Sequence, residues 1–88
     1  MKKKFNPGFF SGVTLIIEND YLKYVSGIKL NEQGSIPIRS IKAVTVEPGP
    51  NNNTTIKFVG EGTTLGFFTT PINYAQKCQK WLIEQLNL

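Results

Sequence analysis

Histidine is missing from this chain, and cysteine occurs once, at Cys78. The first absence removes the usual general base at neutral pH and the commonest metal ligand together. With six acidic residues scattered along 88 positions, no zinc or iron site finds enough ligands at workable spacing. An enzyme is therefore not expected, no cofactor is implied, and no residue is assigned a catalytic or metal-binding role. A single cysteine cannot close a disulfide within the chain. That argues against a secreted, cross-linked scaffold and for a reducing, cytoplasmic setting. Long apolar runs are missing too: the continuous ones span only about three to five residues, too short for a signal core or a membrane span. Near the N-terminus, Asn6, Pro7 and Gly8 interrupt the aromatic residues that would otherwise extend such a run.

What the chain does have is aromatic bulk: six Phe, three Tyr and one Trp. These raise the apolar area buried per residue, which is how a single small domain stays folded. The net charge is +4, but Lys2, Lys3 and Lys4 carry most of it, leaving the rest near about +1. A near-neutral body argues against nucleic acid as the partner.

Residues 1–11 read as an extended N-terminal arm, with Phe9 and Phe10 expected to pack on the body, and residues 12–88 as one domain. Val13, Leu15 and Ile17 alternate on one face of a first strand. Asn19-Asp20 is a tight-turn dipeptide, so this strand and Tyr21–Val25 form a hairpin, the latter continuing through Ile28 and Leu30. Asn31–Ser35 reads as a turn, and Pro37 demotes the run around it to an edge strand or irregular segment. Ile41, Val44 and Val46 are core candidates, with Arg39 and Lys42 outward. Pro48–Asn53 is a polar loop. Ile56 and Phe58 point inward with Lys57 outward, and after a turn at Glu61-Gly62, Leu65 and Phe67 are expected to face in. Thr70 suits an N-cap with Pro71 at the first helical position. The helix then carries Ile72, Ala75, Cys78, Leu82 and Leu86 on one stripe, with Trp81 alongside.

The fold class is therefore mainly β with one C-terminal amphipathic helix. About six or seven short antiparallel strands form a curled sheet or barrel, with Ala75, Cys78, Trp81 and Leu82 plugging one end. In Gly12-Val13-Thr14-Leu15, Ile36-Pro37-Ile38-Arg39-Ser40-Ile41, Ala43-Val44, Thr55-Ile56-Lys57-Phe58, Leu65-Gly66-Phe67-Phe68 and the final helix, the chain resembles small bacterial and phage pleckstrin-homology-like (PH-like) domains of unknown function. The resemblance spans roughly residues 12–86 and implies a fold rather than an activity.

Four surfaces compete for function. Phosphoinositide-reading PH domains cluster basic residues around the first hairpin loop, whereas here Glu18-Asn19-Asp20 is acidic and would repel a phosphorylated head group. Lys2, Lys3, Lys4, Phe5, Phe9 and Phe10 form a candidate membrane arm, giving weak, salt-sensitive association. Arg39, Lys42 and Lys57 form a candidate basic face for single-stranded nucleic acid or a small phosphorylated ligand. Tyr21 and Tyr24 are candidate protein contacts, and an open strand edge offers peptide capture or self-association. By elimination, a non-catalytic adaptor docking to a protein partner leads these readings.

Overall fold

The computed structural model describes residues 1–5, 12–26 and 33–88. Among them are seven strands: β1 (Lys2–Phe5), β2 (Val13–Glu18), β3 (Tyr21–Ser26), β4 (Gln33–Pro37), β5 (Ala43–Pro48), β6 (Asn53–Val59) and β7 (Thr64–Pro71). A 3₁₀ turn, Ile38–Ser40, separates β4 from β5, and one helix, α1 (Ile72–Leu86), ends the fold. The strands form two antiparallel sheets, β1-β2-β3-β4 and β5-β6-β7, each strand beside its chain neighbour. No closed barrel is made by the described residues.

Local chemistry explains the hairpins. Asn19 and Asp20 take φ of 52° and 64°, the consecutive left-handed pair of a type I′ turn, whose twist suits antiparallel strands. Asn51 and Asn52 do the same between β5 and β6, because asparagine tolerates the left-handed region. Gly62 supplies φ of 79° between β6 and β7.

The core lies between the sheets. Val13, Leu15, Leu22, Tyr24 and Ile36 enter it from the first sheet, and Val44, Ile56, Phe58 and Phe68 from the second. Helix α1 packs chiefly on β5, β6 and β7, adding Ala75, Cys78 and Leu82. Trp81 meets Phe5 of β1 edge-on, with ring centroids 6.4 Å apart. The Gln79 amide also donates to the Val44 carbonyl of β5 at 3.0 Å. The helix thus joins the second sheet to the free edge of the first.

A seam of rings holds the sheets together where they approach. Tyr24 lies 5.4 Å from Phe58 and 5.6 Å from Phe68 between centroids. Its hydroxyl reaches two glycines, one on each sheet: a Cβ built on either Gly34 or Gly66 would stand 2.6 Å from Tyr24 Oη. Neither position has room for a side chain.

Several expectations need correction. Leu65 and Phe67 do not face in; they are 37% and 50% exposed. Gly66 and Phe68 take the inner face of β7, opposite Phe58 and Ile56. Alternation permits either parity, and a one-residue slip exchanges the faces. Tyr24 decides it, because its ring fits over a glycine. Lys2–Phe5, read as part of an arm, is strand β1, in register with Val13–Ile16. Gln33–Ser35, read as turn, belongs to β4. The helix begins one residue later than expected: Pro71 is its N-cap, Thr70 is a buried residue of β7, and Ile72 is 49% exposed. The Ile72 N–H, instead of a capping side chain, finds the Asn52 carbonyl at 2.8 Å. Ile28, Leu30, Phe9 and Phe10 lie outside the described residues.

Candidate functional site

Strand pairing builds one surface that the inward pattern leaves over. Val13 and Leu15 of β2, Leu22 and Tyr24 of β3, and Ile36 of β4 turn inward. Side chains alternate along a strand, so Ile16 and Glu18, then Tyr21, Lys23 and Val25, then Gln33, Ser35 and Pro37 share the outer face. The register places Tyr21 beside Pro37, Lys23 beside Ser35, and Val25 beside Gln33.

Among the described residues, two clefts open on this surface. The first, about 290 Å³, is lined by Asn19, Asp20, Tyr21, Pro37, Ile38 and Arg39. It exists because the β2–β3 turn is tied to the 3₁₀ turn: the Ile38 N–H donates to the Asp20 carbonyl at 2.9 Å. The second, about 340 Å³, is lined by Ile16, Lys23, Val25, Gln33, Ser35 and the adjoining backbone of Tyr24 and Gly34. The row Tyr21–Lys23–Val25 runs from one to the other. Tyr21 and Val25 are 44% and 37% exposed, apolar surface on an otherwise polar face.

Charge is unevenly satisfied there. Lys23 Nζ donates to Glu18 Oε1 at 3.0 Å, and that hydrogen bond, aided by the lysine's charge, holds the Glu18 carboxyl below its ordinary range. Lys57 is likewise held by Glu47, at 2.8 Å. Arg39 and Asp20 line the same cleft, yet neither has an ion-pair partner among the described residues. The arginine's exposed guanidinium is thus available at one end of the face.

The sequence-derived candidates are redistributed accordingly. Tyr21 and Arg39, named separately, come together in the first cleft. Tyr24, named with Tyr21 as a contact, is buried in the seam and cannot be a surface anchor. Arg39, Lys42 and Lys57 do not make one basic face: Arg39 sits beside the first hairpin, Lys42 precedes β5, and Lys57 is neutralised on β6. Lys2, Lys3 and Lys4 are exposed on β1, but Phe5 is buried against Trp81, so it is withdrawn from any membrane contact. Lys3 Nζ stands 5.8 Å from that ring's centre. Ala75, Cys78 and Leu82 are buried and Trp81 partly so. Burial in the apolar interior pushes the Cys78 thiol up from 9.0 to about 12, which keeps it protonated and inert.

Sequence reading overlooked Ile16, Val25, Pro37 and Ile38 as members of a site. The signal was present in the alternation. Ile16 and Val25 are apolar at positions out of phase with the core residues Leu15 and Tyr24, and such residues coat the wrong side of a half-buried strand.

Among the described residues, no group of Cys, Asp and Glu is placed to hold a metal ion, and no helix is long and apolar enough to cross a membrane. No protein family, no curated protein and no solved structure matches this chain.

Proposed function

We propose that this chain is a non-catalytic docking module that binds a protein partner on the outer face of its four-stranded sheet. One observation carries the proposal: an exposed Tyr21 and an Arg39 with no ion-pair partner among the described residues share a cleft also lined by Pro37 and Ile38. Tyrosine and arginine are the side chains most enriched where protein interfaces concentrate their energy. The second cleft, farther along β3, extends the contact. A PH-like ancestry belongs to the same proposal, supported by short antiparallel strands leading to one C-terminal helix that packs over the second sheet. A reducing, cytoplasmic setting fits the unpaired, buried Cys78.

Docking by edge pairing, or self-association through an edge, has less support. Lysines occupy all but the last position of β1, and Pro37 ends β4. Gln79 draws the Val44 carbonyl of β5 to the helix, and the Ser26 hydroxyl reaches the Thr69 carbonyl of β7 at 3.5 Å. Charged side chains and proline blunt strand edges against further pairing.

A photocrosslinking amino acid at position 21, compared with one at position 77 on the wet side of α1, tests the proposal. A discrete protein adduct from position 21 alone, competed away by unmodified chain, is expected. Equal labelling from both positions, or adducts only with lipid or nucleotide, would overturn it.

A further inference from the structure

We infer that the occupant of this face is an extended peptide segment of the partner that presents a single carboxylate to Arg39 and an apolar side chain to the cleft beside Val25. The inference rests on the docking role just proposed and adds the chemistry of what docks.

The charge pattern carries the first half. Arg39 is the only arginine in the chain. The lysines of the two sheets that lie near carboxylates have closed onto them, Lys23 on Glu18 and Lys57 on Glu47. Among the described residues Arg39 has no such partner, although Asp20 lines the same cleft. An exposed guanidinium offers a planar fork that matches a carboxylate with two parallel hydrogen bonds. A phosphoryl group would satisfy the fork equally well in geometry. Its second charge would face Asp20, and like charges disfavour it. The pair of opposite charges therefore selects one carboxylate, with a donor such as a peptide N–H turned toward Asp20.

Spacing carries the second half. Tyr21 and Val25 are four residues apart on one strand, so these two positions stand about 13 Å apart. An extended chain covers that distance in about four residues of its own. The far cleft offers Ile16 and Val25 as its apolar wall, with Gln33 and Ser35 at its rim. A helix would need about nine residues to cover the same distance.

The test is selection from a phage-displayed library of random nine-residue peptides on the intact 88-residue chain. Synthetic versions of the winners are then titrated against variants. The expected consensus has one Asp or Glu and an apolar residue about four positions away. Arg39→Ala should weaken these peptides at least about tenfold, the loss expected of a charge-assisted bond. Arg39→Glu should turn the selected consensus from acidic to basic. Replacing the acidic residue by phosphoserine should not tighten binding. Both substitutions lie on the surface, and unchanged thermal unfolding would verify that the fold survives. Peptides weakened by Tyr21→Ala but indifferent to Arg39→Ala would overturn this inference and keep the docking face. Peptides indifferent to both changes, or no enrichment at all, would overturn the docking face as well.

Discussion

The inner and outer faces of the four-stranded sheet are cut from the same strands and obey opposite rules. Tyr24, on the inner side of β3, touches rings on both flanks and glycines at its tip, and nothing around it has room to change. Tyr21, three residues earlier, stands on the outer side with one face in a cleft and much of its surface wet. Close packing makes the first tyrosine a structural part whose neighbours are dictated by shape. Exposure frees the second for recognition, because removing it leaves no cavity. Substitutions on one face should therefore register in stability and on the other in binding.

The largest effect should come from emptying the seam. Phe68 is fully buried between Tyr24 and Phe58, so Phe68→Ala should cost ~3–5 kcal/mol in chemical denaturation. A loss below about 1 kcal/mol would mean that the seam collapses around the gap, and the inner face would then not be the rigid partner in the comparison.

A finer cut adds one carbon atom instead of removing many. Gly66→Ala places its Cβ 2.6 Å from Tyr24 Oη, with Ile36 Cδ1 next at 3.0 Å. Overpacking of this kind costs ~1–3 kcal/mol, more than alanine returns by stiffening the unfolded chain. Combining Gly66→Ala with Tyr24→Phe removes the worst contact and should recover most of the loss. The same rescue should fail for Gly34→Ala, where ring carbons already stand 2.7 and 2.8 Å from the added atom. Equal rescue at both sites would show that the ring moves and that the hydroxyl does not set the distance between the sheets.

Much of the architecture can be read directly from the chain, and the exceptions share a cause. Asn19-Asp20, the proline and asparagines of the β5–β6 turn, the alternation at Ile56 and Phe58, and the stripe of Ala75, Cys78 and Leu82 are local signals that the fold obeys. The parity of β7 is not local. Leu65, Phe67 and Phe68 allow either side inward, and the choice is made by Tyr24, distant in sequence and on the other sheet. Strand β1 is hidden for a similar reason. Three lysines and one phenylalanine look like a solvated tail until Val13–Ile16 provides a ladder and Trp81 provides a pocket for Phe5. The candidate site was half legible. Tyr21 and Arg39 are each conspicuous, but only the pairing of β3 with β4 brings them to one cleft.

The helix side of the core extends the comparison to pH. Cys78 has its pKa raised by burial, from 9.0 to about 12. For a thiol the ionised form is the one penalised, so between these values the unfolded chain loses its proton while the folded chain keeps it. The unfolded state then binds fewer protons, and stability falls as pH rises. Denaturation midpoints should therefore be flat through neutral pH and decline above about pH 9. Cys78→Ala should flatten that decline while lowering stability at pH 7. An unchanged alkaline slope in the variant would show that the buried thiol does not set it.

The smallest expected change in stability belongs to Tyr21, and it discriminates most sharply between the two faces. Tyr21→Ala removes an exposed ring whose cross-strand neighbour is Pro37. Surface changes of this kind stay within about 0.5 kcal/mol, while truncating an aromatic anchor in an interface commonly costs ~2 kcal/mol of binding or more. The same substitution should thus leave the melting temperature in place and abolish detectable peptide capture. A substantial loss of stability would mean that Tyr21 holds the β2–β3 turn against the 3₁₀ turn. The cleft would then be a by-product of folding, and the outer face would follow the inner face's rule.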